Sequence, residues 1–385
     1  MSLRTRLKLA GTALLALLDA EHDFMPTGGY EVAHDLGRWW DAVLRLEETI
    51  GFVIPADLEA ASQRNLQRFT DNPDGLLMNR TDAPWLVGKT TINPHNFRES
   101  LLAFGGLVRC RRSPWAKSSG LRLVHSMGRS LRPDGSLDFT KLGSWGRVPF
   151  TEDPSHTEGR RGAWFDGTAT SGRSLEALVW FYECTREPLV LDVARRIAEH
   201  HLECTINPDG TVRQEIVSPD NVGHDHSYLG TLRGLLLFGL LTGQRAYVDG
   251  VEATYRHAVR NGIVKESGWA PHDLGKLRFP NEYGDPVTDP ASTGDAAQLA
   301  LWLALHADRH DLLDDVERYV RARLLPAQLT DDDVHAHSER VFAPRQMGAW
   351  AIHGLSHAGK GCTPDVLAAV THSLCDIYRN ICTRT

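Results

Sequence analysis

The chain has 385 residues, 42% of them hydrophobic and 24% charged, with a formal net charge of −7 carried by both signs throughout. That balance supports a large buried core and excludes a disordered or low-complexity polymer. No basic block marks a nucleic-acid partner, and six scattered cysteines without a CxxC pair argue against a disulfide framework or a zinc ribbon.

The first segment, MSLRTRLKLAGTALLALLDAEHD, sets basic residues before an apolar run, as a secretory signal does. Leu9, Leu14, Ala16, Leu17 and Ala20 also fit an amphipathic helix, and Asp19 interrupts the run. The expectation is a folded first helix in a cytoplasmic protein, with secretion left open; the run is too short for a membrane span. DLGRWWDAVLRLEETIG and PADLEAASQRNLQRF follow as helices, and SLLAFGGLVRCRRSPWAKSSGLRLVHSMG from Ser100 reads as a helical hairpin.

Three later segments share that hairpin plan more clearly. They begin at Ser174 (SLEALVWFYECTREPLVLDVARRIAEHHL), Tyr228 (YLGTLRGLLLFGLLTGQRAYVDGVEATYRHAV) and Ala296 (AAQLALWLALHADRHDLLDDVERYVRARLL). Val193, Val251 and Val316 occupy equivalent places, a period of roughly 60 residues. In each, the first helix is apolar on nearly every side and the second carries one stripe, as with Val248, Val251, Tyr255 and Val259. RQMGAWAIHGLSHAG and TPDVLAAVTHSLCDIYRNI close the series. The expected fold is therefore all-α: a single domain over residues 1–385 in which six hairpins form an (α/α)6 toroid, apolar helices inside and amphipathic ones outside.

Turns within hairpins are short (REP, TGQ, DRH), whereas the connections between hairpins, Leu131 to Gly167, Thr205 to Gly223, Asn261 to Ala291 and Leu329 to Pro344, are long. Long loops in a compact domain are usually functional, and in alternating up and down helices they gather at one end. The first turns of the inner helices should line that mouth. They are polar: Asn93, His95 and Glu99; His224, Asp225 and His226; Ser292, Thr293 and Asp295; Arg345 and Gln346. The loops add Trp85, Trp145, Trp164 and Trp269, with His156, Glu158, His272, Asp273 and Glu282. Indole faces beside carboxylates suit sugar rings, which have apolar faces and a rim of hydroxyls.

Plainer readings stand beside this one. Ser292, Thr293 and Asp225 are residue types that cap helices, and loop tryptophans can serve as packed lids. His224 and His226 lack a third ligand and the spacing of one helix face, so no metal or other cofactor is expected. TDDDV at Asp331 to Asp333 follows a helix end and reads as a solvated loop.

On these segments the chain resembles the six-hairpin glycosidases, the superfamily of β-L-arabinofuranosidases, unsaturated glucuronyl hydrolases and related uronidases. DLGRWWDAVLRLEETIG resembles an early helix of the arabinofuranosidase type, which implies that Asp35 and Trp39 face the cavity. STGDAAQLALWLALHADRHDLLDDVERYVRARLLPAQL and RQMGAWAIHGLSHAGKGCTPDV resemble its late hairpins. The arabinofuranosidases use a cysteine nucleophile among zinc-bound cysteines; here Cys362 is alone, so that chemistry is not carried over.

The expected activity is glycoside hydrolysis of an oligosaccharide, one carboxyl donating a proton and another acting as base or nucleophile. Asp225 and Glu282 are the expected pair, with Asp295 and Glu99 in reserve. Arg345 and Arg38 would grip a uronate carboxylate, and His95, His156, Trp164, His224, His226, Tyr228 and Trp269 would contact sugar. Two alternatives stay open: a polysaccharide lyase using His226 and Tyr228 as acid and base, and a toroid that only binds a ligand. The carbohydrate is the only partner expected, and oligomeric state is not legible.

Overall fold

A computed structural model describes residues 1–26, 32–79, 91–92, 96–138, 171–214, 216, 223–264, 268–272, 274, 288–330, 347–350 and 363–382. Among these residues strands are confined to two antiparallel pairs, Leu18–Asp19 with Met25–Pro26 and Met78–Asn79 with Thr91–Ile92. No described helix is long and apolar enough to cross a membrane. The long connections between hairpins lie mainly outside the described residues.

The chain divides into two compact units, one of Met1–Gln63, Val259–Asp273 and Leu277–Thr385, the other of Arg64–Ala258 and Leu274–Lys276. In chain order the helices are α1 (Leu3–Ala16), α2 (Val32–Ile50) and α3 (Ala56–Thr70). Then come α4 (Asn96–Arg111), α5 (Pro114–Ser130), α6 (Ser171–Thr185), α7 (Pro188–Cys204), α8 (Asp225–Thr242) and α9 (Arg245–Thr254). The last are α10 (Pro290–His306), α11 (Leu313–Tyr319) and α12 (Thr363–Ile377).

Within the Arg64–Ala258 unit, α6 packs against both α4 and α8, while α5, α7 and α9 pack behind α4, α6 and α8 respectively. The apolar composition of α8 explains this placement: Asp225–Gly239 is buried apart from Leu237, so the helix needs neighbours on several sides. Gly234 permits the close approach, because a Cβ there would lie 2.7 Å from Leu175 Cβ and 2.8 Å from the Glu176 nitrogen. Gly243 ends α8 at φ 70°, a left-handed cap that turns the chain directly into α9. By contrast α7 buries only its stripe of Val190, Val193, Ala194, Ile197, Ala198, His200 and His201.

In the unit containing both termini, α12 packs against α2, α10 and α1, and α11 packs on α10. Pro290–Ala304 of α10 is buried throughout. Asp289 caps that helix by accepting the Ala291 N–H at 2.8 Å, and Pro290 fills the first helical position, where no N–H is needed.

Candidate active site

In the Arg64–Ala258 unit, the N-terminal halves of α4, α6 and α8 bring together a buried charge lattice. Arg98 donates to Glu176 and, at 3.0 Å, to Glu99. Arg173 donates to Glu99 at 2.6 Å and to Ser227 Oγ at 3.3 Å, and Arg233 lies 2.9 Å from Glu176. All five charged side chains are essentially sealed from solvent. Each carboxylate is shared between two guanidiniums, whose positive charges offset the cost of burying it.

The start of α8 adds His224, Asp225, His226 and Tyr228, all buried. His224 Nδ1 is 2.8 Å from Ser227 Oγ, and the two imidazoles meet edge to face with centroids 6.0 Å apart. Asp225 sits in the first turn, where the helix dipole favours a carboxylate. The Tyr228 hydroxyl is buried with no hydrogen-bond partner among the described residues. Burial pushes its pKa far above the ordinary phenol value and the nearby Asp225 charge adds to the rise, with Arg213 opposing. At neutral pH Tyr228 is therefore a proton-bearing group.

A second cluster belongs to the unit containing the termini. His34 and Arg38 stand four residues apart on one face of α2, and both reach Asp365 of α12, at 2.9 and 2.8 Å. Two turns along the same helices, Asp41 bonds Arg45 at 2.7 Å and His372 at 2.5 Å. Burial works against the Asp41 charge, but Arg45 and His372 outweigh it and hold the carboxyl well below the usual range.

Asp289 behaves in the opposite way. Burial pushes its carboxyl pKa from 3.8 to about 6, and the charge of Asp365 pushes the same way, despite His272, the Ser292 hydroxyl and the Ala291 N–H. The backbone explains how His272 arrives there. The Asp289 N–H donates to Ala270 O at 3.0 Å, and the Ala270 N–H donates to Thr293 Oγ1 at 3.0 Å. An isolated bridge joins Pro271 to Thr288. The result is a buried acid raised to about 6 that also feels the charge of Asp365, a carboxylate held by an arginine and a histidine.

The remaining expected residues have the following surroundings. Glu99 is committed to two arginines rather than held in reserve as an acid. Trp39, expected to face a cavity, is buried with its indole N–H donated to Leu14 O at 3.0 Å and its ring edge-on to Trp40. Arg38, expected to grip a substrate carboxylate, is engaged by Asp365. Trp269 is partly buried under the Arg323 guanidinium, 5.9 Å from its ring centre. Ser292 does not cap α10; its hydroxyl donates to the Asp289 carboxylate at 2.9 Å. Asp35 and Asp295 are buried on α2 and α10. Glu282, His95, His156, Trp164 and Arg345 lie outside the described residues.

Asp289, Asp365, His34 and the Arg173–Glu176–Arg233 set escaped the sequence reading. The run TDPAST carried a usable signal, an Asp directly before a helix-starting Pro. Nothing comparable marked Glu176, a lone acid in an apolar helix.

No family model matches the chain, and no curated protein sequence matches it. Its fold, however, is that of solved enzymes. An unsaturated glucuronyl hydrolase from Bacillus sp. GL1, responsible for glycosaminoglycan degradation, superposes with a TM-score of 0.64 at 14% identity, covering 99% of this chain and 98% of that one. A sugar epimerase from a ruminal bacterium gives 0.64 at 12% identity over 97% and 98%. An inactive variant of an alpha-1,6-mannanase of Salegentibacter sp. HEL1_6, in complex with alpha-1,6-mannotriose, gives 0.60 at 12% over 97% and 100%. The chain thus shares the all-α fold of these solved structures, the class that the hairpin pattern predicted.

Proposed function

We propose that this chain is a carbohydrate-active enzyme that hydrolyses glycosidic bonds in an oligosaccharide by carboxyl acid–base catalysis. The observation that carries the reading is Asp289, a buried acid raised to about 6 within the electrostatic influence of the ion-paired Asp365. Glycoside cleavage needs one carboxyl able to donate a proton and another that stays charged, and unlike environments are how one fold supplies both. In this assignment Asp289 is the proton donor and Asp365 the charged partner, oriented by Arg38 and His34. Asp225, Asp295 and Glu282 are the further acidic groups proposed to meet the sugar, and Arg345 the grip for a uronate carboxylate. The glycan-degrading enzymes that share the fold support the same substrate class.

The test is a screen of aryl glycosides and uronate-containing oligosaccharides, read by sugar release. Asp289→Asn should abolish most turnover while substrate still binds; an equally active variant would remove Asp289 from the mechanism. A second reading, proton abstraction beside a uronate carboxyl, draws support from Tyr228, whose buried, proton-bearing hydroxyl stands two residues from His226. There the proton-bearing Tyr228 is the acid and His226 the base, the reverse of the order expected from sequence. Ultraviolet absorbance of an unsaturated product would favour it over hydrolysis.

A further inference from the structure

We propose that His200, His201 and Cys204, at the C-terminal end of α7, form a binding site for a borderline-soft divalent ion, with Zn2+ the best fit. The site is independent of the carbohydrate chemistry above. One potential ligand atom from each residue lies within 4.8 Å of the others, the only such convergence of His, Cys, Asp and Glu among the described residues. Helical spacing explains it: positions four and three apart share a face, so both rings lean toward the thiol. The imidazoles meet edge to face with centroids 5.0 Å apart.

The distances suit zinc. With Zn–N near 2.0–2.1 Å and Zn–S near 2.3 Å, tetrahedral ligand atoms stand roughly 3.5 Å apart. His201 Nδ1 and Cys204 Sγ are already 3.8 Å apart. Imidazole and thiolate donors select zinc or copper over magnesium and calcium.

The surroundings favour a cation as well. His201 Nε2 lies 3.1 Å from Ser171 Oγ, the kind of outer hydrogen bond that fixes a metal-binding histidine's tautomer. Nδ1 lies 2.8 Å from Thr205 Oγ1, so ion binding through Nδ1 requires that hydroxyl to turn away. The last turn of a helix favours positive charge, and Asp134 is near enough to His200 for their charges to interact. Cys204 is partly exposed, which leaves an entry path and room for water as fourth ligand. Because Ser171 opens α6, two residues before Arg173 of the charge lattice, a bound ion would pin the end of α7 to the start of α6.

The experiment is zinc titration of the full chain by calorimetry, with metal analysis after dialysis and Co2+ as a spectroscopic probe. One equivalent should be retained, and the Co2+ form should show a thiolate charge-transfer band. Cys204→Ser should remove the band and weaken zinc binding by more than about 100-fold, and Ser171→Ala by about 10-fold. Cys184→Ser, off the cluster, should bind as the parent does. If Cys204→Ser loses its helical circular dichroism, His200→Asn carries the same prediction for affinity. Absence of a stoichiometric ion, or unchanged affinity in both Cys204→Ser and His200→Asn, overturns the proposal.

Discussion

The raised acid Asp289 makes a quantitative claim about stability as well as catalysis. Its carboxyl titrates near 3.8 when exposed and near 6 when folded, a rise of about 2 units, or about 3 kcal/mol. The sign follows from which state holds the proton more tightly. Below pH 4 both states are protonated and the folded protein bears no penalty. As pH rises from 4 to 6 the unfolded chain ionises first, so this group's contribution is lost, and above pH 6 the folded protein carries the full cost of a buried charge. Asp289→Asn keeps an oxygen to cap α10 through the Ala291 N–H but has nothing to titrate. Chemical denaturation of parent and variant at pH 4, 5, 6 and 7 should show the variant gaining about 3 kcal/mol relative to the parent across that range. Parallel stability curves would refute both the raised pKa and the proton-donor assignment built on it.

Three other perturbations probe the described packing. Glu176→Gln leaves the buried Arg98 and Arg233 facing a neutral amide and should cost about 3–5 kcal/mol by denaturant midpoint. Gly234→Ala forces a methyl group against Leu175 and Glu176, and a loss of about 1–3 kcal/mol is expected in the same assay. Tyr228→Phe removes a buried hydroxyl that has no partner among the described residues, so thermal unfolding should move upward by the equivalent of about 1 kcal/mol. A clear fall in the melting temperature would mean that the hydroxyl is satisfied in solution. Loss of turnover in a stable Tyr228→Phe protein would favour proton abstraction over hydrolysis.

The fold was legible because helical periodicity is local. The unbroken apolar run of α8 and the stripe Val248, Val251 on α9 declare which helix is surrounded and which faces water, without knowledge of any partner. The polar first turn at His224 to His226 was equally plain. Charges that owe their burial to distant residues were not. Asp365 meets His34 from 331 positions away, and Glu176 meets Arg98 from 78 away. No periodicity joins residues so far apart. Trp39 shows the complementary failure: one tryptophan serves a sugar platform and a core contact equally well, and only the position of Leu14 decides. The proposed metal site is hidden for a related reason, since His200 and His201 read as ordinary members of an amphipathic stripe.

The shared carboxylates of α4, α6 and α8 carry a consequence for assembly. Apolar seams tolerate slippage, because one leucine fits roughly where another did. A guanidinium fork does not: sliding any of these three helices by a single residue, or rolling it by a hundred degrees, would strand Arg98, Arg173 or Arg233 opposite hydrocarbon. The lattice therefore acts as an index mark, admitting one axial and rotational setting, and so it fixes where Asp225, His226 and Tyr228 stand at the head of α8.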